Sequence, residues 1–350
     1  MVRGHKSLKV LDRKSVMPTL IAIFSRHVLV ARHAQRWHLS APVSGHRFTC
    51  AAADPHQQGR AYCGTVSGAL WRTDDGGGEW QEVGAGPGSG HITALAVDRH
   101  ESGRGGGIVY AGTEPSHFYR SGDGGQTWDE RPALTTLPSS TEWSFPPRPY
   151  THHVRWIESD PVMPGRIFAA IEAGALVRTL DGGVTWEDRV PEGPFDTHTM
   201  SSHPAAPGRF YSAAGDGYYD TDDGGATWAS PEQGLRHTYL VTVGVDPADP
   251  STVVVSGSSG PWTAYNPSSA EAYVYRRSGS GKWQRVSEGL PAPDGTVVSH
   301  LATAGRPGVF YAANNRGIFS STDGGRRWAA LDVIWDAQYE SDGVSALVVV

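Results

Sequence analysis

The sequence predicts an all-β protein, a β-propeller of seven blades that are each a four-stranded antiparallel sheet, with six blades as the alternative. One short motif recurs along the chain, and a tryptophan ends each copy, with successive tryptophans 42 to 58 residues apart. The same order of short β-prone segments lies between the copies. Repeats of this length build radial or stacked arrays, and four short strands per repeat are typical of a propeller blade.

The repeated motif is a hydroxyl residue, an aspartate two positions later, two glycines and a tryptophan. The aspartate and hydroxyl can accept or donate local hydrogen bonds, and the glycines supply positive φ, so the motif predicts a tight turn. The tryptophan that follows offers a large apolar surface to a neighbouring unit. Full copies occupy 73–80, 121–128, 179–186, 221–228 and 321–328, a copy at 278–283 lacks the aspartate, and the motif aspartates are Asp75, Asp123, Asp181, Asp223 and Asp323.

Each unit reads as four β runs separated by turn signals. In the second unit the runs are 91–98, 107–112 and 118–120, followed by the motif and its tryptophan. The chain ends supply a seventh unit, with 344–350 as its first strand and 27–31 and 35–39 as later strands. Pairing of the two ends would close the ring and leave no sheet edge free.

The motif resembles the Asp-box, or bacterial neuraminidase repeat, with the pattern S/T-x-D-x-G-x-T-W. That repeat marks β-propellers of the sialidase, xyloglucanase, sortilin and photosystem II assembly factor type. The resemblance implies a propeller in which the box is structural and lies away from the ligand face. It also implies a glycosyl hydrolase-like or sialidase-like kinship, although the chain has no Arg-Ile-Pro signature and room for only one of the two propellers that xyloglucanases use. No catalytic residue of either family is carried over to this sequence.

Composition excludes several function classes. The 350 residues include 44 glycines, 24 prolines, 12 tryptophans and 13 tyrosines, which suits short strands joined by tight turns. The net charge of -6 argues against a nucleic-acid partner, and no apolar run is long enough for a membrane span. Cys50 and Cys63 fall on neighbouring strands, where they are either a disulfide or, in the favoured interpretation, two small buried thiols.

The amino-terminal segment is basic up to residue 14 and then carries a short apolar run at 18–24. We expect residues 1–22 to be a disordered tail, with Met17 as a candidate start, and residues 23–350 to form the single propeller domain. The apolar run lacks the length and cleavage site of a secretory signal. A cytoplasmic location is therefore expected, with secretion as the alternative.

The direction of the strands predicts which face of the propeller carries the candidate functional residues. The loop into the first strand and the turn after the second strand open on one face of a meander blade, and the motif turns lie on the other face. Alignment of the units on their Asp-Pro turns places His91, His153, Asp196 and Tyr239 at the start of the first strand. Two residues further on, it places Thr93, Arg155, His198 and Val241.

Polar residues concentrate in the third and fourth units, and two long loops, at 132–151 and 256–272, bring aromatic residues to the same face. This combination is typical of a pocket for a glycan or another polar small molecule. The predicted binding residues are Trp143, Arg148, His152, His153, Arg155, His198, Asp216 and Trp262.

Glu172 and Asp196, or alternatively Glu114, are the candidate catalytic carboxyls, because glycoside hydrolysis uses such a pair. Two other interpretations remain open: Glu172 pairs with Arg155 for structural reasons, or the face grips a protein partner as a non-catalytic scaffold. No cofactor or metal is expected, because His152, His153, His198 and His203 show no ligand spacing on one element.

Overall fold

Seven antiparallel sheets surround a central axis in a computed structural model that describes residues 18–88 and 90–350. The first six sheets follow chain order as blades 1 to 6, and blade 7 combines both ends of the described chain. The innermost strand of each blade contacts the innermost strands of the two adjacent blades, including blade 7 with blade 1. The ring is therefore closed, which confirms seven blades rather than six.

Most blades have the predicted four strands. From the axis outward the strands are Phe48–Ala53, Ala61–Thr65, Leu70–Thr73 and Gln81–Glu82 in blade 1; His91–Gly103, Gly106–Glu114, Phe118–Ser121 and Asp129–Glu130 in blade 2; Val154–Ser159, Ile167–Ile171 and Ala175–Thr179 in blade 3; Thr197–Ser202, Phe210–Ala214 and Gly217–Thr221 in blade 4; Tyr239–Asp246, Asp249–Ser258, Tyr273–Ser278 and Gln284–Val286 in blade 5; His300–Thr303, Phe310–Asn314, Gly317–Ser321 and Ala329–Ala330 in blade 6; and Val344–Val349, Leu20–Phe24, His27–His33 and Trp37–Ser44 in blade 7. In blades 3 and 4 the fourth strand is a single bridge, Arg178 to Glu187 and Asp220 to Ala229.

Helical structure is confined to short turns between strands. The 3₁₀ turns are Pro132–Thr136, Pro138–Glu142 and Pro261–Thr263, and the single α-helical turn in the described chain is Ala337–Glu340. No helix in the described chain has both the length and the apolar character that crossing a bilayer requires.

Blade 7 is completed by pairing between the chain ends. Its innermost strand, Val344–Val349, pairs antiparallel with Leu20–Phe24, whose five residues are all buried. The predicted later strands at 27–31 and 35–39 are present at His27–His33 and Trp37–Ser44. Residues 20–22 therefore belong to the propeller and not to the expected tail, and residues 1–17, with Met17, lie outside the described residues.

The motif turns join the third and fourth strands. At the central copy, Thr179 Oγ1 donates to Asp181 Oδ1 at 2.8 Å, and Asp181 accepts the Thr185 amide at 2.9 Å. Gly182 and Gly183 have φ of 70° and 90°, which favours glycine. The Gly182 amide also donates to the Gly165 carbonyl, in the turn between the first two strands. The motif turns therefore lie on the face opposite the turns that follow the second strands.

Each motif tryptophan packs on the preceding blade. Trp186 of blade 3 meets Phe118 of blade 2 with ring centroids 5.0 Å apart, and Trp283 of blade 5 meets Tyr218 of blade 4 at 4.8 Å. Trp80 of blade 1 packs with the cluster that contains Ile21 of blade 7. The predicted burial against a neighbouring unit is confirmed.

Cys50 and Cys63 are both free and buried, as the favoured interpretation predicted. In the pairing of their strands, Cys50 lies opposite Gly64 and Ala51 lies opposite Cys63. Consecutive positions of a strand face opposite sides of a sheet. Cys50 accordingly packs with Ile92 towards blade 2, and Cys63 packs with Val30 towards blade 7.

Candidate functional site at the channel mouth

A β-bulge interrupts the innermost strand of blades 1 to 5 at one common position. Bulges leave a residue without a ladder partner and re-aim its side chain, often beside functional sites. The bulged residues are Thr49, Thr93, Arg155, His198 and Val241, of which the last four are the set aligned from the Asp-Pro turns. Four of these residues, with His300 and Ser345, line a space of about 20 Å³ on the axis, roughly enough for one water molecule.

In blades 1, 2 and 4 the bulged side chain joins its blade to the next. The hydrogen bonds run from Thr49 Oγ1 to Ile92 O at 2.5 Å, from Thr93 Oγ1 to Val154 O at 2.7 Å, and between His198 Nδ1 and Leu240 O at 2.6 Å. Arg155, at the same position in blade 3, makes no such bond to blade 4. Its side chain instead lines the axial channel.

Arg155 turns instead towards Glu172, which follows the second strand of the same blade. Arg155 Nε lies 3.3 Å from Glu172 Oε2, and His153 Nε2 lies 2.8 Å from the same oxygen. The Arg155 side chain is 23% exposed, and its terminal N–H groups find no hydrogen-bond acceptor within residues 18–88 and 90–350. A charged fork donor with spare N–H groups is therefore available at the channel mouth.

Glu172 is held ionised. Burial opposes its ionisation, but the Arg155 charge and the hydrogen bond from His153 outweigh burial and lower the pKa of Glu172 to about 2. The structural ion pair considered from the sequence is present. The closest contact of this pair is made by Arg155 Nε, and the terminal N–H groups of Arg155 make no hydrogen bond within residues 18–88 and 90–350.

Asp196 approaches from blade 4, immediately before the first strand. Its Oδ1 accepts the Ala173 amide at 2.7 Å, and its Oδ2 lies 3.6 Å from His198 Nε2. Burial raises the pKa of Asp196, the nearby His198 opposes that rise, and the negative charge of Glu172 adds to it. Glu172, Asp196 and His198 each place a ligand-type atom within 4.8 Å of the other two. The Glu172 and Asp196 carboxylates are therefore closer together than the roughly 6.5–9.5 Å of the carboxyl pair in inverting glycosidases, and their separation is nearer to that in retaining enzymes.

Two tyrosines form the aromatic side of this site. The Tyr239 ring lies 5.0 Å from the His198 ring and 6.2 Å from the Tyr265 ring, and the two hydroxyls are 3.4 Å apart. Burial raises the pKa of Tyr265 to about 12, so that its hydroxyl is a neutral donor and acceptor. The sequence placed both tyrosines on this face but did not select them as binding residues.

His300, in the sixth blade, was missed by sequence reasoning. It lines the axial space with Arg155 and is 5% exposed. Burial, reinforced by the Arg155 charge, lowers the pKa of His300 to about 3, so the ring is neutral. The available signal was a histidine at the start of the sixth inner strand.

Trp143 is buried in the core, and His152 is half-buried beside it. Trp143 is 5% exposed, belongs to the hydrophobic core under blade 3, and donates from Nε1 to Ser139 Oγ at 3.1 Å. The His152 ring packs edge-on against Trp143 at 5.6 Å, and burial lowers the pKa of His152. Trp143 is therefore corrected from a binding residue to a core residue, because the 132–151 loop folds its aromatic residue inward.

Arg148 and Asp216 each bind to other residues of the same chain. Arg148 pairs with Glu114 Oε2 at 2.6 Å and stacks on the Phe145 ring, so the Glu114 carboxylate is engaged by Arg148. Asp216 accepts the backbone amides of residues 195 and 196 and therefore caps a loop. Trp262 is 85% exposed on its own loop. The predicted set thus divides into a cluster around Arg155 and flanking residues with other contacts.

A wider cavity opens at the opposite end of the channel, where no binding residue was predicted. Its volume is about 510 Å³, and its lining includes Arg99, Glu158 and Thr303 near the ends of inner strands. Glu158 accepts hydrogen bonds from Ser202 Oγ and Trp156 Nε1, and burial raises its pKa. The polar cluster of blades 3 and 4 therefore occupies the narrow mouth, and the open space lies at the other.

The fold and site define a closed seven-bladed β-propeller with one polar sector on the face away from its motif turns. No protein-family model matches the chain. A xyloglucanase of Hypocrea jecorina (strain QM6a) is 30% identical over 127 residues, which cover 34% of this chain and 14% of that enzyme. The chain therefore matches only a small part of that curated relative.

GH74 enzymes and YCF48 are among the solved structures with a similar fold. The GH74 enzyme of Niastella koreensis has a TM-score of 0.67 at 17% identity, over 90% of this chain and 52% of that one, and the GH74 xyloglucanase of Xanthomonas campestris has 0.65 at 16%, over 90% and 52%. YCF48 bound to D1 peptide has a TM-score of 0.56 at 18% identity, over 84% and 83%. The chain spans about half of the GH74 structures and most of YCF48, and at these identities the likeness establishes the fold.

Proposed function

We propose that the protein binds a polar small molecule, with glycans as the leading class, at the channel mouth between blades 3 and 4. The observation that carries the proposal is Arg155. Thr49, Thr93 and His198, at the same position in three other blades, each hydrogen-bond to the next blade. The terminal N–H groups of Arg155 have no acceptor within the described chain. The same bulged position recurs in blades 1 to 5. A residue at that position that does not join its blade to the next is a candidate for ligand contact.

The surroundings suit a hydroxyl-rich ligand. Arg155 offers a fork of donors, Glu172 and Asp196 offer acceptors, and the Tyr239 and Tyr265 rings offer apolar surface with neutral hydroxyls. Sugar recognition uses such convergent polar groups beside aromatic faces. The partial match to a xyloglucanase adds support for a carbohydrate ligand. Hydrolysis by Glu172 and Asp196 remains a prediction that a turnover assay with the same variants checks.

The test is binding to a glycan array and a panel of polar metabolites by the parent, Arg155→Ala and Glu172→Gln. We expect each variant to lose at least tenfold in affinity, because a charge-assisted hydrogen bond contributes roughly 1.5–3 kcal/mol, with thermal stability near that of the parent. Arg148→Ala is the matched control, since that arginine lies on the same face but is paired with Glu114. Unchanged affinity in Arg155→Ala would refute the proposal.

A protein-binding scaffold is the second candidate, and two exposed aromatic residues favour it. Trp262 is 85% exposed and Tyr150 is 84% exposed, each on a long loop of the same face. Aromatic side chains are enriched at protein interfaces. Recovery of one stoichiometric protein partner in a pull-down that Trp262→Ala abolishes, with no glycan retained on the array, would favour the scaffold over the small-molecule site.

A further inference from the structure

His198 is oriented as metal-binding histidines are. Its Nδ1 lies 2.6 Å from the Leu240 carbonyl oxygen, which can only accept, so Nδ1 carries the proton. In the neutral ring Nε2 then holds a lone pair. The side chain is fully buried, and Nε2 has no hydrogen-bond partner within the described chain. A backbone carbonyl that fixes the far ring nitrogen is the usual outer-shell partner of a metal ligand.

Two carboxylates face the same Nε2 atom. Asp196 Oδ2 lies 3.6 Å from it, and Glu172 completes a set whose ligand atoms are all within 4.8 Å of one another. Glu172 Oε2 is engaged by His153 and Arg155, and Oε1 makes no hydrogen bond to the described residues. Glu172 and Asp196 are 13% and 21% exposed, so solvent and ions have access to the cluster.

We infer that Glu172, Asp196 and His198 form a binding site for a divalent transition-metal cation at the channel mouth. One imidazole nitrogen and two carboxylate oxygens, with water in the remaining position, suit Zn²⁺ or Mn²⁺. The imidazole disfavours Ca²⁺ and Mg²⁺, which prefer oxygen ligands alone. The sequence analysis did not group these three residues, because they come from two blades.

The local charge is compatible with a cation. Two carboxylates stand against one guanidinium, so the cluster keeps an excess of negative charge. The closest contact of Arg155 is with Glu172 Oε2, and Asp196 Oδ1 accepts the Ala173 amide, so Glu172 Oε1 and Asp196 Oδ2 are the oxygens offered to an ion. Because Arg155 repels a cation, we expect its removal to preserve or strengthen metal binding while it weakens binding of the polar ligand. The metal site therefore does not depend on the proposed function.

Isothermal titration of chelator-treated full-length protein with Zn²⁺, without any other ligand, tests this inference. We expect one ion per chain, at least tenfold weaker binding in Asp196→Asn and in His198→Asn, and no loss in Arg155→Ala. Excess Ca²⁺ should not displace the bound Zn²⁺. His100→Asn is the control for adventitious binding, because His100 is exposed on blade 2.

Asp196→Asn keeps the shape of the side chain and its contact with the Ala173 amide, so it stays informative if the histidine variant fails to fold. Equal Zn²⁺ affinity in the parent and Asp196→Asn, or the absence of a one-to-one site in the parent, would overturn the metal site. In that outcome His198 is a buried histidine that joins blade 4 to blade 5 through Leu240. Ligand loss in Arg155→Ala would still stand as support for the polar-ligand site.

Discussion

Arg155 illustrates how a single repeated position acquires a separate role. The bulged residue of blades 1, 2 and 4 donates to the next blade, and a threonine or a histidine is long enough to do so. The longer guanidinium of Arg155 reaches across its own blade to Glu172. Val241 has no polar group that could join blades, so among the polar bulged residues of blades 1 to 5 Arg155 alone turns to its own blade instead of joining the next, and the polar sector is centred there.

The joining role of the bulged residues leads to a stability prediction for Thr93. Thr93→Val keeps the β-branched shape but leaves the buried Val154 carbonyl without its 2.7 Å donor. We expect a loss of about 1–2 kcal/mol in the free energy of unfolding, measured by urea denaturation. Thr135→Val, on an exposed turn, should change it by less than about 0.5 kcal/mol; equal effects of the two variants would contradict the joining role.

At the scale of the element, each motif turn surrounds the carboxylate of its aspartate with local hydrogen-bond donors. The carboxylates of Asp75, Asp123, Asp181 and Asp323 have lowered pKa values, because local hydrogen bonds outweigh burial. For Asp223 the Thr227 amide and hydroxyl are the main causes, and its pKa falls to about 2. The turns are thus stabilised by ionised aspartates.

This ionisation makes stability dependent on pH. The unfolded carboxyls titrate near the ordinary value of 3.8, so below about pH 4 the unfolded chain binds more protons than the folded one. The contribution is complete above that pH and is lost as the pH falls towards about 2. We expect the Tm of the parent to fall steeply between pH 5 and pH 2.5 in thermal melts.

Asp223→Asn should have a lower Tm than the parent at pH 7, and the difference should shrink at pH 2.5. Asp222→Asn is the matched control, because the neighbouring Asp222 side chain is 84% exposed. A constant difference between Asp223→Asn and the parent over this pH range would show that the charge of Asp223 has no part in the turn.

On the scale of the whole molecule, closure depends on a six-residue strand near the end of the described chain. Val344–Val349 is the innermost strand of blade 7, and it contacts blades 6 and 1 while it pairs with Leu20–Phe24. Without it, the inner edge of Leu20–Phe24 and the flanks of two other blades are exposed. Closed rings avoid such free edges.

Truncation after Gly343 should therefore lower the Tm by more than 10 °C and expose the ring to limited proteolysis. The magnitude follows from the loss of several buried side chains, at roughly 2–4 kcal/mol for each large one. Ile334→Ala, at a side chain that is 93% exposed, should leave both measurements unchanged. A truncated protein that melts with the parent would mean that the ring does not depend on this strand.

The two ends of the chain also show the limits of pattern reading. The motif spacing predicted blades 1 to 6, but blade 7 has no motif, and residues 18–22 of the apolar run were assigned to the tail. Its burial comes from contact with residues more than 300 positions away, which no local pattern contains. The same reason explains Trp143, whose loop has no period to separate inward from outward positions.

The sequence by itself determined the repeat, the turn chemistry, the strand order and the sector in which polar residues gather, because each follows from local bonding and a fixed spacing. It also placed Arg155 and His198 at a common position of their blades. Only the tertiary structure decided which side chains meet. Arg155 is free because its own blade offers Glu172, and Glu172, Asp196 and His198 converge because curvature of the ring brings two blades together at the axis.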